Sequence, residues 1–258
     1  MVETITDLCV VTAVDIEFKI AADLLSGKSF SEYPRVKVCR GVFGARRIVV
    51  LQSEMGAVGF AERLAQHLAE NRYDALIVAG LAGGLDPKLR AGDAVLYDSC
   101  YDARAIDPER LRQSVFEQAP IIACDEMLSD FLFDSATASG LRCVRGAGVT
   151  VSRIVTEAKS KLALGARYGA VTVDMETYEA LSACARLNLP AAALRVISDE
   201  AARDIPDLNR AYDANGRTNG WQMAGAMIAR PAATLHFLPS VRRALRSLKE
   251  NLRAALNA

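Results

Sequence analysis

The stretch Ala170–Ala201, AVTVDMETYEALSACARLNLPAAALRVISDEA, decides how the rest of the chain is read. AVTV and AAALRVI are apolar runs of strand length, and the segment between them has the apolar spacing of a helix. Each strand ends in acids. The first runs into Asp174-Met175-Glu176 and the second into Ser198-Asp199-Glu200. Carboxylates cost free energy when they leave water, so their place at the ends of two buried strands calls for a function.

The same alternation extends outward. DLCVVTAV reads as a strand and DIEFKIAADLL as a helix; RRIVVLQS is a strand, and AVGFAERLAQHLAENR is a helix with Phe60, Leu64 and Leu68 on one face. DALIVAGLAGGL is a strand running into a glycine turn, and GDAVLYD begins another strand. Residues 99–122 lose periodicity and read as a loop excursion. After them come a helix (CDEMLSDFLFDSATA), a strand (LRCVRGAGVTV) and a helix (TEAKSKLALGAR). So regular an alternation predicts an α/β domain with a mixed, mostly parallel central sheet. No linker or repeat divides the chain, so the reading is one domain: residues 1–238 as its body and residues 239–258 as a helical appendage of it.

Composition narrows the function. Thirty-one basic and thirty-one acidic side chains cancel, which removes the global field that nucleic-acid binding uses. Six scattered cysteines without a C-x-x-C pair fit reduced thiols, and no signal segment opens the chain, so a cytoplasmic protein is expected. Neither histidine has a metal-ligand neighbour at the usual spacing. The glycines Gly80, Gly83 and Gly84 do not spell G-x-G-x-x-G, and no P-loop ending follows them; they serve either a tight turn or close backbone approach to a ligand. The pattern therefore predicts no cofactor and no metal.

In an open α/β sheet, ligands bind beyond the carboxyl ends of the strands. Glu17 follows the first strand, and Glu176 and Asp199 follow the two strands of the opening stretch, so all three are expected at one edge. Each alone could be a helix-capping acid. Convergence makes them a candidate site, whereas Asp174 and Glu200 read as caps or surface charges.

Taken together, AGLAGGLDPKLRAGD, VDMETYEALSACARLNLP and LRVISDEA resemble the nucleoside phosphorylase and nucleosidase superfamily over roughly residues 7–228. Within it they are more similar to the methylthioadenosine/S-adenosylhomocysteine nucleosidase branch. The resemblance implies a three-layer α/β/α sandwich and cleavage of a purine N-glycosidic bond. It implies Asp199 as general acid at purine N7, Glu176 as the acceptor of ribose hydroxyls, and Met175 against the sugar face. Glu17 matches the acid that activates water, and Arg195 an arginine that orders the acids. Gly80, Leu81, Ala82 and Ser198 fall in the substrate-contacting motifs, and Val151, Ser152, Arg153 and Ile154 in the base-binding region. Leu81 stands where the methylthioadenosine branch has serine, and Val78-Ala79-Gly80 where phosphorylases carry an arginine for phosphate. Hydrolysis is favoured, with phosphorolysis and non-catalytic nucleoside binding as the alternatives. A homodimer or larger homo-oligomer is also implied.

The segment from Asp199 to Leu252 resembles hopanoid-associated members, which are linked to removal of adenine from adenosylhopane. From residue 239 on, Val241, Leu245, Leu248, Leu252 and Leu256 share one helical face, with Arg242, Arg243, Arg246, Lys249 and Arg253 mostly elsewhere. Such a helix can lie on the inner face of a membrane, or pack on its own domain or on a second subunit.

Overall fold

The structure, a computed structural model, describes residues 5–33, 36–53, 59–108, 119–211 and 219–257. The first half runs β1 (Asp7–Thr12), α1 (Asp15–Ala22), β2 (Ser26–Tyr33), β3 (Val36–Phe43), β4 (Arg46–Gln52), α2 (Phe60–Glu70), β5 (Ala75–Gly84), β6 (Ala94–Asp102) and β7 (Ile121–Ala123). The second runs α3 (Glu126–Ala138), β8 (Cys143–Thr150), α4 (Ala158–Tyr168), β9 (Ala170–Asp174), α5 (Thr177–Arg186), β10 (Ala191–Asp199), α6 (Gly220–Ala229) and α7 (Pro231–Asn257).

Alternation along the strands builds three layers. In β1, Leu8 and Val10 face one core while Cys9 and Val11 face the other. The first core is closed by Phe18 of α1, Leu128 and Leu132 of α3, and Leu248 and Leu252 of α7. Phe60, Leu64 and Leu68 of α2 close the second, with Leu181 and Cys184 of α5. A helix-covered sheet on both faces is the α/β/α sandwich.

The sheet is mixed. Its strand order is β10-β6-β8-β9-β5-β1-β4-β3-β2, with β7 paired to β6. β10 also pairs with β5, so β5, β10, β6, β8 and β9 close into a ring from which β1, β4, β3 and β2 continue as an open sheet. The longest ladder is the parallel one between β5 and β10, in which Arg195 lies opposite Gly80 and Asp199 opposite Gly83. A register shift between Ile197 and Asp199 marks a bulge there. Bulges re-aim the side chains that follow them, and this one precedes the acid of interest.

Several local expectations change. Gly80, Gly83 and Gly84 are strand residues of β5 rather than a turn. Residues 99–122 are not all loop: β6 runs through Asp102 and β7 pairs back onto it, while residues 109–118 lie outside the described part. β2 is the edge strand of the sheet, and its SGKSFSEY lacks the apolar density of the inner strands. The apolar stripe expected from residue 239 belongs to a helix that begins at Pro231. Its Ala244, Leu248, Leu252, Ala255 and Leu256 are buried against the protein's own sheet. Among the described residues, no helix is long and apolar enough to cross a membrane.

Because Leu252 is fully buried in that seam, Leu252→Ala is expected to lower unfolding free energy by about 2–5 kcal/mol, measured by urea denaturation.

Candidate active site

The site grows from the β5–β10 ladder. Arg195 points inward from β10 and is only 1% exposed. It fits because its partner in register is glycine: a Cβ on Gly80 would lie 2.7 Å from the Arg195 guanidinium and 2.9 Å from both Glu17 carboxylate oxygens. The guanidinium donates to Thr177 Oγ1 at 3.0 and 2.8 Å, and stands 3.5 Å from Asp174 and 3.5 Å from Glu176. Burial works against its charge, but the carboxylates of Asp174 and Glu176 outweigh that and hold it firmly protonated.

Asp174 is neither a surface charge nor a simple cap. Its side chain is 1% exposed, and it gathers a buried network. Oδ1 accepts from the Thr150 hydroxyl at 2.8 Å and from the Glu176 and Thr177 backbone N–H groups at 3.2 and 3.0 Å, which starts α5. Oδ2 accepts from Tyr97 at 2.9 Å and from the Thr177 hydroxyl at 2.5 Å. Burial pushes the Tyr97 phenol well up, which keeps it a donor. Its ring lies where a side chain on Gly148 would be, 1.9 Å from the position of a Cβ. Glu200, by contrast, is partly exposed and pairs with Arg203 at 3.2 Å.

Glu17 enters from α1. Its Oε2 accepts from the Ala13 and Val14 N–H groups at 3.0 and 3.2 Å, and its Oε1 from the Leu81 N–H at 2.8 Å. Burial nevertheless raises its proton affinity above the ordinary carboxylate range, against the opposing pull of Arg195 and these donors. At the far end, Asp199 is bound by Lys161, a wholly buried lysine of α4, and its Oδ1 lies 2.6 Å from the Ser198 hydroxyl. That hydroxyl is also 3.1 Å from the Ala82 carbonyl.

Between these groups lies a cavity of about 320 Å³. Glu17, Glu176 and Asp199 line it together, with Met175, Leu81, Ala82, Gly83 and Ser198 on the strand ends. Val151, Arg153 and Ile154 form one wall, and the Ile154 backbone is held by Asn209 through contacts of 2.8 and 3.0 Å. Ser152 is exposed and outside it. Met223 and Met227 of α6, with Phe237, Leu238, Val241 and Leu245 of α7, form an apolar roof. Gly80, expected among the contact residues, and Arg195, expected to order the acids, are not part of the lining; both stand against the carboxylates that are, Gly80 beside Glu17 and Arg195 beside Glu176.

Sequence reasoning missed Tyr97, Thr150, Thr177 and Lys161. Their hydroxyls and amine look ordinary in sequence, but Gly146 and Gly148 inside a strand pattern are a signal of close approach. A raised-affinity carboxylate facing two further buried carboxylates across an apolar cavity is equipped for proton transfer and for stabilising positive charge.

An acid-lined cleft at the strand ends of a helix-covered mixed sheet defines a small-molecule enzyme of the α/β class. The chain belongs to the phosphorylase superfamily, whose family model matches residues 7–229. A 5'-methylthioadenosine/S-adenosylhomocysteine nucleosidase of Mycobacterium tuberculosis is 25% identical over 228 residues, covering 78% of this chain and 89% of that one. The nucleosidase of the same name from Neisseria meningitidis, solved with methylthio-immucillin-A, has a similar fold, with TM-score 0.70 and 20% identity over 96% of this chain and 99% of that one. Futalosine hydrolase of Helicobacter pylori is similar at TM-score 0.71 and 18% identity, over 96% and 98% of the two chains.

The raised proton affinity of Glu17 has a stability consequence. The native state holds this proton more tightly than the unfolded chain, so stability falls as pH climbs from the ordinary value of 4.5 through the raised one, and then levels. Glu17→Gln is expected to unfold at higher urea than wild type at pH 8, with the difference disappearing near pH 4.

Proposed function

We propose that the chain hydrolyses the N-glycosidic bond of an adenine nucleoside carrying an apolar substituent at the ribose 5' position. The observation that carries this reading is the convergence of Glu17, Glu176 and Asp199 in one largely apolar cavity. Bond cleavage builds positive charge on the ribose, which Glu176 stabilises while accepting the sugar hydroxyls, with Met175 against the ring. Asp199 protonates N7 of the departing base. Glu17, with its heightened proton affinity, takes a proton from the attacking water. Gly80 and Arg195 act through the carboxylates they position, and Ile154 with Val151 flanks the base. The likeness to nucleosidases and to a hydrolase supports water over phosphate. So does the commitment of the nearest buried cations, Arg195 and Lys161, to carboxylates.

The roof supplies the second half of the reading. Met223, Met227, Phe237, Leu238, Val241 and Leu245 make a wall suited to an aliphatic group, and adenosylhopane, implied by the resemblance of the C-terminal region, is a nucleoside with such a tail. The same two helices expose Trp221, Ile228 and Leu235 at 89%, 78% and 75%. Peripheral contact with the cytoplasmic face of a membrane is therefore assigned to α6 and the start of α7, because the stripe beyond Ala244 is engaged in the core. A homodimer or larger homo-oligomer remains the expected solution state.

Adenine release from 5'-methylthioadenosine and longer 5'-alkylthio analogues, followed with and without phosphate, tests the reaction. Phosphate-independent release is expected; strict dependence means phosphorolysis, and no release means binding alone. Asp199→Asn and Glu176→Gln should each slow turnover by about 10²- to 10⁴-fold with the fold retained. For the membrane, wild type is expected to sediment with anionic vesicles and a Trp221→Ser/Ile228→Ser/Leu235→Ser protein to stay in solution. Equal sedimentation of the two, or none by wild type, removes that assignment.

A further inference from the structure

Lys161 stands out as a wholly buried amine that no motif singles out. It lies in α4, and its Nζ meets the Asp199 carboxylate, the Arg203 carbonyl at 3.0 Å and the Glu200 carbonyl at 3.3 Å. Three acceptors match the three hydrogens of an ammonium, whereas a neutral amine has only two to give. The resting pair is thus a carboxylate and an ammonium, with the transferable proton on nitrogen. A general acid at this place must carry that proton on oxygen.

We infer that Lys161 is the proton reservoir of Asp199: it supplies, through the Asp199 carboxyl, the proton that the departing base takes up. This rests on the hydrolase reading above and deepens it. As the bond between N9 and C1' breaks, its electron pair moves onto the purine. N7 takes a proton from Asp199, and Asp199 takes one from Lys161 Nζ. The oxygen of water bonds to C1', and its proton passes to Glu17. The cycle closes when Glu17 releases that proton to solvent and Lys161 regains one.

Among the described residues, the ionisable groups around this pair are engaged elsewhere. Glu200 is occupied by Arg203 at 3.2 Å and Glu157 by Lys159 at 2.9 Å. Asp204 accepts from the Ala158 N–H at 2.8 Å, at the start of α4. Across the cavity, Glu176 is 3.5 Å from Arg195, and Glu17 accepts the Leu81 N–H.

The experiment is kcat and KM for adenine release from 5'-methylthioadenosine between pH 5 and pH 9, in wild type, Lys161→Gln and Lys161→Arg. Lys161→Gln keeps a donor for Asp199 but has no proton to release. Lys161→Arg keeps the charge but does not give up its proton. Both are expected to lose about 10²-fold or more in kcat at pH 8, with KM little changed. The loss should shrink at least tenfold at pH 5, where the solvent itself supplies protons far more readily than at pH 8. A deficit equal at both pH values, or full turnover at pH 8 in Lys161→Arg, overturns the inference and leaves Lys161 a structural ion-pair partner. If Lys161→Gln does not fold, Lys161→Arg carries the same comparison. Wild type that releases no adenine from any nucleoside defeats the hydrolase reading itself, a result distinct from either.

Discussion

One buried cation orders two of the three carboxylates on which the site depends. Arg195 is held away from water between β5 and β10, and a guanidinium there is tolerable only if carboxylates and hydroxyls surround it. Asp174, Glu176 and Thr177 meet that need from the start of α5, and Glu17 approaches from α1. Glu17 and Glu176 are therefore placed around the same buried cation, whereas Asp199 is held by Lys161. Removing Arg195 would leave carboxylates buried without a counter-charge, which costs far more than the loss of a surface pair.

The absence of a side chain at Gly80 is the complementary constraint. Two strands in parallel register bring residue 80 directly opposite residue 195, and a methyl group would occupy the space of both the guanidinium and the Glu17 carboxylate. Gly148 plays the same part for Tyr97. Polar reach across the sheet is thus built from missing atoms. The apolar alternation of the strands, by contrast, builds the cores on its faces.

That difference explains what could be read from the sequence. Strands and helices followed from periodicity because burial on one face or two leaves a periodic trace, as in Phe60, Leu64 and Leu68. The three acids were legible because charge at the end of an apolar run is costly and thus conspicuous. Lys161 was not, since a lysine in a helical segment is ordinarily solvated and only the three-dimensional path of residues 199–203 places acceptors around it. Asp174 was misread for a similar reason: whether an acid three residues before a helix is a cap or a network centre depends on Tyr97, 77 residues away in sequence. The edge strand β2 escaped because edge strands bury little.

The helix α7 joins two regions of different character at Pro239, which lacks the main-chain N–H that would bond the Leu235 carbonyl. The part beyond Ala244 is bound into the core, whereas the part before Pro239 borders the cavity and is largely open to solvent. The roof and the carboxylates are consequently separate modules. Substitutions between Pro231 and Val241 can reshape the apolar side of the cavity without disturbing the sheet that carries the carboxylates. A scaffold of this kind can change its preferred substrate within a few surface-helix residues while its bond-breaking machinery stays as it is.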